Sequence, residues 1–195
     1  MNTIFRKSVL GVAGLAFAGG MVAGPLNHDT TAAMATNPAA VSVQADKPDM
    51  GKLIPHGVQG GQSRIDLTDE QVANVKAIIA ATKKAGMDER AAVVAIGTAL
   101  QESKLENLGH LGERNDHDSQ GLFQQRPSSG WGTVEQITDP QYSTTAFLKG
   151  LKQVDGWQDM PLTVAAQTVQ VSAYPDHYAQ WEQQAADLVA EHWNS

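Results

Sequence analysis

The chain contains no cysteine, which removes disulfide staples and thiolate metal ligands from consideration. It also lacks any cluster of Lys and Arg. Its 14 basic side chains are set against 21 acidic ones, for a formal charge of −7. An acidic chain without a basic patch does not carry the electrostatic footprint of a nucleic-acid binder. No internal repeat is visible. No stretch alternates apolar and polar residues convincingly, so a half-buried sheet is not expected. Aromatic residues make up only 6% of the sequence, so each one repays separate consideration.

What is present begins with a targeting segment. Arg6 and Lys7 form a short basic region, and residues 8–24 that follow carry no charge and are rich in Val, Leu, Ala, Phe and Gly. The glycines and the position favour a secretory signal over a spanning helix. Residues 1–35 are therefore read as a signal peptide, with Ala33-Met34-Ala35 or Val22-Ala23-Gly24 as the cleavage motif. An uncleaved N-terminal anchor is the alternative. Either way the expected place of work is outside the cytoplasm, secreted or associated with the cell wall, and the membrane enters only through the export signal. An exported domain without cysteine must rely on its core for stability. Residues 36–64 hold Pro38, Pro48, Pro55, Gly57, Gly60 and Gly61 without a sustained period, and are expected to be a flexible linker. The folded domain is expected over residues 65–195.

That domain reads as all-α, with about five or six helices. Thr68-Asp69-Glu70-Gln71 has capping-box spacing. Val72, Val75, Ile78, Ile79 and Thr82 follow at helical intervals, and Gly86 stops the helix. Asp88 is the expected N-cap of a second helix, almost uncharged from Ala91 to Leu100 and ending near Ser103. So few polar positions mark a helix buried on most sides. Residues 107–119 are a loop by composition. Asp139-Pro140 starts another helix, with Pro at N1. Thr163 is expected to cap a segment from Val164 to Ala173, and a last helix from Asp176 to His192 places Tyr178, Trp181, Ala185, Leu188 and Val189 on one face. Gly121 to Gln125 is either a short strand or a helix start.

Glu102 stands where the buried helix ends and the polar loop begins. Glycoside cleavage needs a proton donor at the leaving oxygen and stabilisation of a cationic sugar. An ordinary Glu is too acidic for this near neutral pH, and burial against apolar neighbours raises it. Ala99, Leu100 and Leu105 supply part of such a setting. A Glu that merely caps or salt-bridges a helix end would look the same at this level.

Gln101-Glu102-Ser103, followed by Gly121-Leu122-Phe123-Gln124 and Pro127, resembles the signature of soluble lytic transglycosylases and goose-type lysozymes, within the lysozyme-like superfamily. The run Glu113 to Pro127 is similar to one carried by secreted lysozyme-like proteins of actinobacteria. The resemblance implies a lysozyme-like helical fold and a lone acid/base, Glu102, that protonates the glycosidic oxygen and then acts as base. It places Ser103 near the N-acetylmuramoyl group, and Gly121, Leu122, Phe123 and Gln124 along the sugar groove. The substrate's own acetamido group would stabilise the cation. Two features depart from the family pattern. The interval from Glu102 to Gly121 is longer than usual. The later Ala-Tyr-Asn-Ala-Gly-like motif is replaced by Thr168 to Pro175, which puts Val169 where the family has the Tyr that holds the catalytic Glu. Gln170 and Tyr174 are the candidates to take its place.

Other residues remain open at this stage. Asp116 or Asp118 can be read as the second carboxylate of an inverting hydrolase, or as part of a loop-capping cluster. Asp116, Asp118 and Gly121 match three positions of a calcium loop, but Gln120 and Pro127 stand where further ligands belong, so no metal is expected. His110 and His117 are read as solvated, and no cofactor is expected. Trp131, flanked by Gly130 and Gly132, is the leading candidate to stack on a sugar, or else covers a small core. Trp157, Tyr174 and Tyr178 are further stacking candidates, with core positions favoured for Trp157 and Trp181. Arg126 suits either a substrate carboxylate or a helix C-terminus. The expected partner is the glycan strand of peptidoglycan, bound by a monomer. The alternatives are a non-catalytic lysozyme-like wall-binding module, or a secreted interaction protein in which Glu102 is only a helix-end residue.

Overall fold

A computed structural model describes residues 48–195. The expected signal peptide and the first part of the expected linker lie outside the described residues. Among those described, the domain is all-α with no strand, built from seven α-helices joined by short 3-10 turns. In order these are α1 (Met50–Leu53), α2 (Asp69–Lys84), α3 (Glu89–Ser103), α4 (Val134–Ile137), α5 (Pro140–Leu151), α6 (Leu162–Gln170) and α7 (Glu182–His192). Two of these, α1 and α4, are single turns, which leaves five longer helices, as the periodicity predicts.

The centre of the domain is α3. Every residue from 90 to 100 is buried, and α1, α2, α5, α6 and α7 all pack on it. Small side chains let the neighbours come close. A Cβ at Gly97 would lie 2.6 Å from Leu162 Cδ1, so α6 crosses α3 at a distance that glycine permits. One ion pair, Arg90 with Glu182, is enclosed in this core. Arg90 Nη1 donates to Leu53 O at 2.7 Å and to Glu182 Oε1 at 2.8 Å, and Nη2 donates to Met160 O at 2.8 Å. A guanidinium this deep is tolerated because carbonyls and a carboxylate replace its water. It ties α1, α3, α7 and the turn before α6 together.

The helix starts follow their local chemistry. Thr68 and Gln71 form the reciprocal capping box, Asp88 accepts from Ala91 N, and Asp139 caps α5 ahead of Pro140. The structure corrects the later boundaries. Thr163 does not cap α6, which begins at Leu162 after Pro161 and ends at Gln170; Thr163 Oγ1 instead donates to Pro175 O at 2.6 Å. The last helix is split, a 3-10 segment from His177 to Trp181 leading into α7. Residues 48–64 differ from the expected flexible linker. Leu53 is fully buried, and Ser63 N donates to Gln180 O at 2.7 Å. Gln184 brackets Ile65 through both its backbone N–H and its carbonyl. Hydrogen bonds to the 3-10 segment and to α7, where Gln183 N donates to Gln62 Oε1 at 3.0 Å, thus hold a segment that has little periodicity of its own.

Candidate active site

Glu102 sits in the last turn of α3, and the way that helix ends fixes its outlook. Lys104 and Leu105 both adopt left-handed backbone, with φ of 57° and 64°, a conformation costly for residues with a Cβ. It is held by α2. Gln71 Nε2 donates to Lys104 O at 2.8 Å and Asn74 Nδ2 to Leu105 O at 2.9 Å. Leu105 N reaches back to Ala99 O at 3.2 Å, closing the helix in the manner of a Schellman motif.

The second part of the motif is a tight turn, neither strand nor helix. Gln120 and Gln125 exchange backbone hydrogen bonds of 3.0 Å, with Gly121 to Gln124 between them. Gly121 has φ +78°, and a Cβ there would lie 2.1 Å from Ile137 O, so glycine is required twice over. Within this turn the expected groove-lining strip divides. Leu122 and Phe123 are fully buried, and Phe123 stacks on Phe147 with ring centroids 5.1 Å apart. Of the four residues of the strip, only Gln124 lines the cleft. Ser103 also turns inward. It is 6% exposed, and its Oγ donates to Leu122 O at 2.8 Å. Its placement beside a substrate is therefore corrected: it joins the end of α3 to the turn.

Between these elements and the segment after α6 lies a cleft of about 600 Å³. Glu102, Gln124, Trp131, Gln170 and Tyr174 line it together, so the fold brings together most of the residues expected at the site. Trp131 is half-buried at the wall. Tyr174 is 63% exposed and stacks on His177 at 4.9 Å. Trp157 and Trp181 are buried in the core.

The Glu102 carboxylate is gripped at one oxygen. Tyr178 Oη donates to Oε1 at 2.6 Å, and Gln170 Nε2 donates to the same oxygen at 3.2 Å. The other hydrogen of the Gln170 amide goes to Phe123 O at 2.8 Å, which fixes the amide between the turn and the carboxylate. Gln170 thus reaches the carboxylate, while Val169 lines the cleft and Tyr174 stays at its edge. Tyr178, expected on an apolar helix face or against a sugar, is the partner that sequence reasoning missed. Its ring is fully buried, and a buried phenol needs somewhere to place its hydroxyl. That need was the available signal.

Burial pushes the Glu102 carboxyl above its ordinary pKa, and the nearby charge of Asp116 adds to the effect. The hydrogen bonds from Tyr178 and Gln170 and the Lys104 ammonium oppose it without reversing it. Lys104 is itself constrained, its Nζ lying 4.7 Å from the centroid of the Trp181 ring. The two loop aspartates separate. Asp116 lines the cleft, highly exposed, with Oδ1 2.7 Å from His117 Nδ1. Asp118 is committed elsewhere. Its Oδ1 accepts from Arg126 Nε at 2.9 Å and Ser128 Oγ at 2.8 Å, and its Oδ2 accepts from Ser128 N at 2.8 Å. With both oxygens engaged it clamps the loop, and the second-carboxylate reading passes to Asp116 alone.

No protein-family model matches the chain, and no curated protein matches it.

Proposed function

We propose that the chain is an exported enzyme that cleaves the glycosidic bond between N-acetylmuramic acid and N-acetylglucosamine in peptidoglycan, with Glu102 as its acid/base. The observation that carries this reading is the placement of Glu102, gripped at one oxygen by Tyr178 and Gln170, at the wall of a cleft large enough for sugar rings; its partial burial there favours the protonated form. Oε1 already accepts two hydrogen bonds, so the proton sits on Oε2. From there it passes to the glycosidic oxygen as the bond to the leaving sugar breaks. The substrate's acetamido oxygen steadies the resulting cation. The Glu102 carboxylate then takes a proton from the incoming nucleophile. If that nucleophile is water the product has a reducing end; if it is a hydroxyl of the same muramoyl residue the product is an anhydro sugar. Trp131 and Tyr174 offer apolar faces to sugar rings. Export and residence at the cell wall belong to the same proposal, as does the lysozyme-like character of the helical domain.

The test is incubation with purified peptidoglycan and mass spectrometry of the soluble products. Glu102→Gln keeps the shape of the side chain and cannot donate the proton, and its rate should fall at least about 10²-fold. Equal release by both proteins would remove Glu102 from the chemistry. Binding without cleavage by either would establish a wall-binding module in place of an enzyme.

A further inference from the structure

Arg126 is the one cation among the described residues that line the cleft; the other charged side chains there, Glu102 and Asp116, are acidic. A cleft that met only neutral hydroxyls and acetamides would need no guanidinium, since Gln101, Gln124, Gln170 and Ser172 already line it with neutral donors and acceptors. Arg126 is also built in. It precedes the 3-10 turn Pro127–Ser129 in extended backbone, with φ −115° and ψ 122°. Its Nε is held by Asp118 Oδ1 at 2.9 Å, and Asp118 is in turn held by the backbone and hydroxyl of Ser128. These donors keep the Asp118 carboxyl well below the usual carboxylate range, so the anchor remains ionised. Among the described residues, no hydrogen bond or ion pair engages the two Nη groups of Arg126. A guanidinium fixed through Nε presents Nη1 and Nη2 end-on as a planar fork, which matches the two oxygens of a carboxylate.

We propose that Arg126 is a specificity residue that binds a carboxylate carried by the muramoyl side of the substrate, so that the cleft distinguishes peptidoglycan from uncharged chitin-like chains. The proposal rests on the function proposed above and names the feature of the glycan that the site selects. Two sources share this chemistry: the free lactyl carboxylate of a muramoyl residue without a peptide, and the carboxylates of an attached stem peptide. Asp118 offsets the charge of Arg126 at long range, so recognition works through direct contact rather than through an attractive field.

The experiment measures binding without turnover, by calorimetry on the full chain carrying Glu102→Gln. Three ligands separate the sources: chitotetraose, which has no carboxylate; glycan fragments stripped of stems, which expose the lactyl carboxylate; and the same fragments with stems attached. Adding Arg126→Gln should weaken a carboxylate-bearing ligand by roughly ten- to a hundredfold, as expected for a lost bidentate charged contact, and leave chitotetraose within about twofold. The ligand that suffers identifies the source. A control variant, Asp118→Asn, loosens the clamp and keeps the cation. Equal weakening of all three ligands by Arg126→Gln, reproduced by Asp118→Asn, would make Arg126 a loop support and overturn the proposal. Unchanged binding of every ligand would overturn it too, while leaving the glycan-binding reading intact. Failure of the Glu102→Gln chain to bind any of the three would overturn both.

Discussion

Replacing Tyr178 with Phe removes one hydroxyl and leaves the fully buried ring in place. What is lost is the 2.6 Å bond to Glu102 Oε1. A hydrogen bond to a charged acceptor contributes about 1.5–3 kcal/mol, against about 0.5–1.5 kcal/mol for a neutral pair. The cost of the substitution therefore depends on whether Glu102 is ionised. At acid pH, with the carboxyl protonated, the variant loses the smaller amount; above the Glu102 pKa it loses the larger. Because the bond favours the charged form, its removal raises the carboxyl pKa further. Two assays check this. Urea unfolding from pH 4 to pH 8 should show the stability gap between wild type and Tyr178→Phe widening by roughly 1 kcal/mol as pH rises. The carboxyl carbon of Glu102, followed by NMR, should titrate at higher pH in the variant, and the alkaline limb of the rate profile should move the same way. A gap constant across pH, with an unmoved titration, would refute the idea that Tyr178 grips the carboxylate.

Other perturbations bear on the same site. The folded Glu102 carboxyl lies above its ordinary pKa, so the folded state binds the proton more tightly than the unfolded chain. Its stabilising contribution is complete below the ordinary carboxyl pKa and is lost as pH rises through the raised value. Glu102→Gln keeps an Oε1 for Tyr178 and Gln170 and cannot ionise, so it should match or exceed wild-type melting temperature increasingly from acid to neutral pH; a variant that loses ground as pH rises would contradict the burial argument. Gly121→Ala must place a Cβ 2.1 Å from Ile137 O in left-handed backbone, and should cost more than about 3 kcal/mol in urea unfolding. Gly130 has a similar φ, +84°, with nothing within 4 Å, so Gly130→Ala should cost only about 1 kcal/mol. Comparable losses at the two positions would show that the close approach at Gly121 is not what the fold depends on.

Much of the fold is legible from residue spacing because its decisive interactions are local. The Thr68–Gln71 box, the Asp88 cap and the Asp139-Pro140 start each involve residues within one turn, and each is found in the structure. Thr133 and Gln136 form a second capping box with the same spacing, an equally local signal. The errors have a different origin. Thr163 has a good capping side chain, yet its hydroxyl is drawn to Pro175 O across the cleft segment. Residues 48–64 look like a linker because their partners, Arg90, Gln180 and Gln183, lie far along the chain. Leu122, Phe123 and Ser103 belong to the motif by sequence, but their side chains build the support beneath the cleft rather than its surface.

By itself the sequence determined that a nearly uncharged helix would be buried and that it would end near Ser103, with Glu102 in its last turn; the turn at residues 121–124, expected as a short strand or a helix start, it did not determine. Those outcomes depend on periodicity and on caps, which act within a few residues. The tertiary structure alone decided what reaches the carboxylate. Tyr178 and Gln170 lie 76 and 68 residues beyond Glu102 in the chain, and only the packing of the segments around α3 brings them to one oxygen. The same packing commits Asp118 to Arg126 and leaves Asp116 in the cleft. Side chains of the same type, two residues apart, take different roles because their surroundings are assembled from distant parts of the chain.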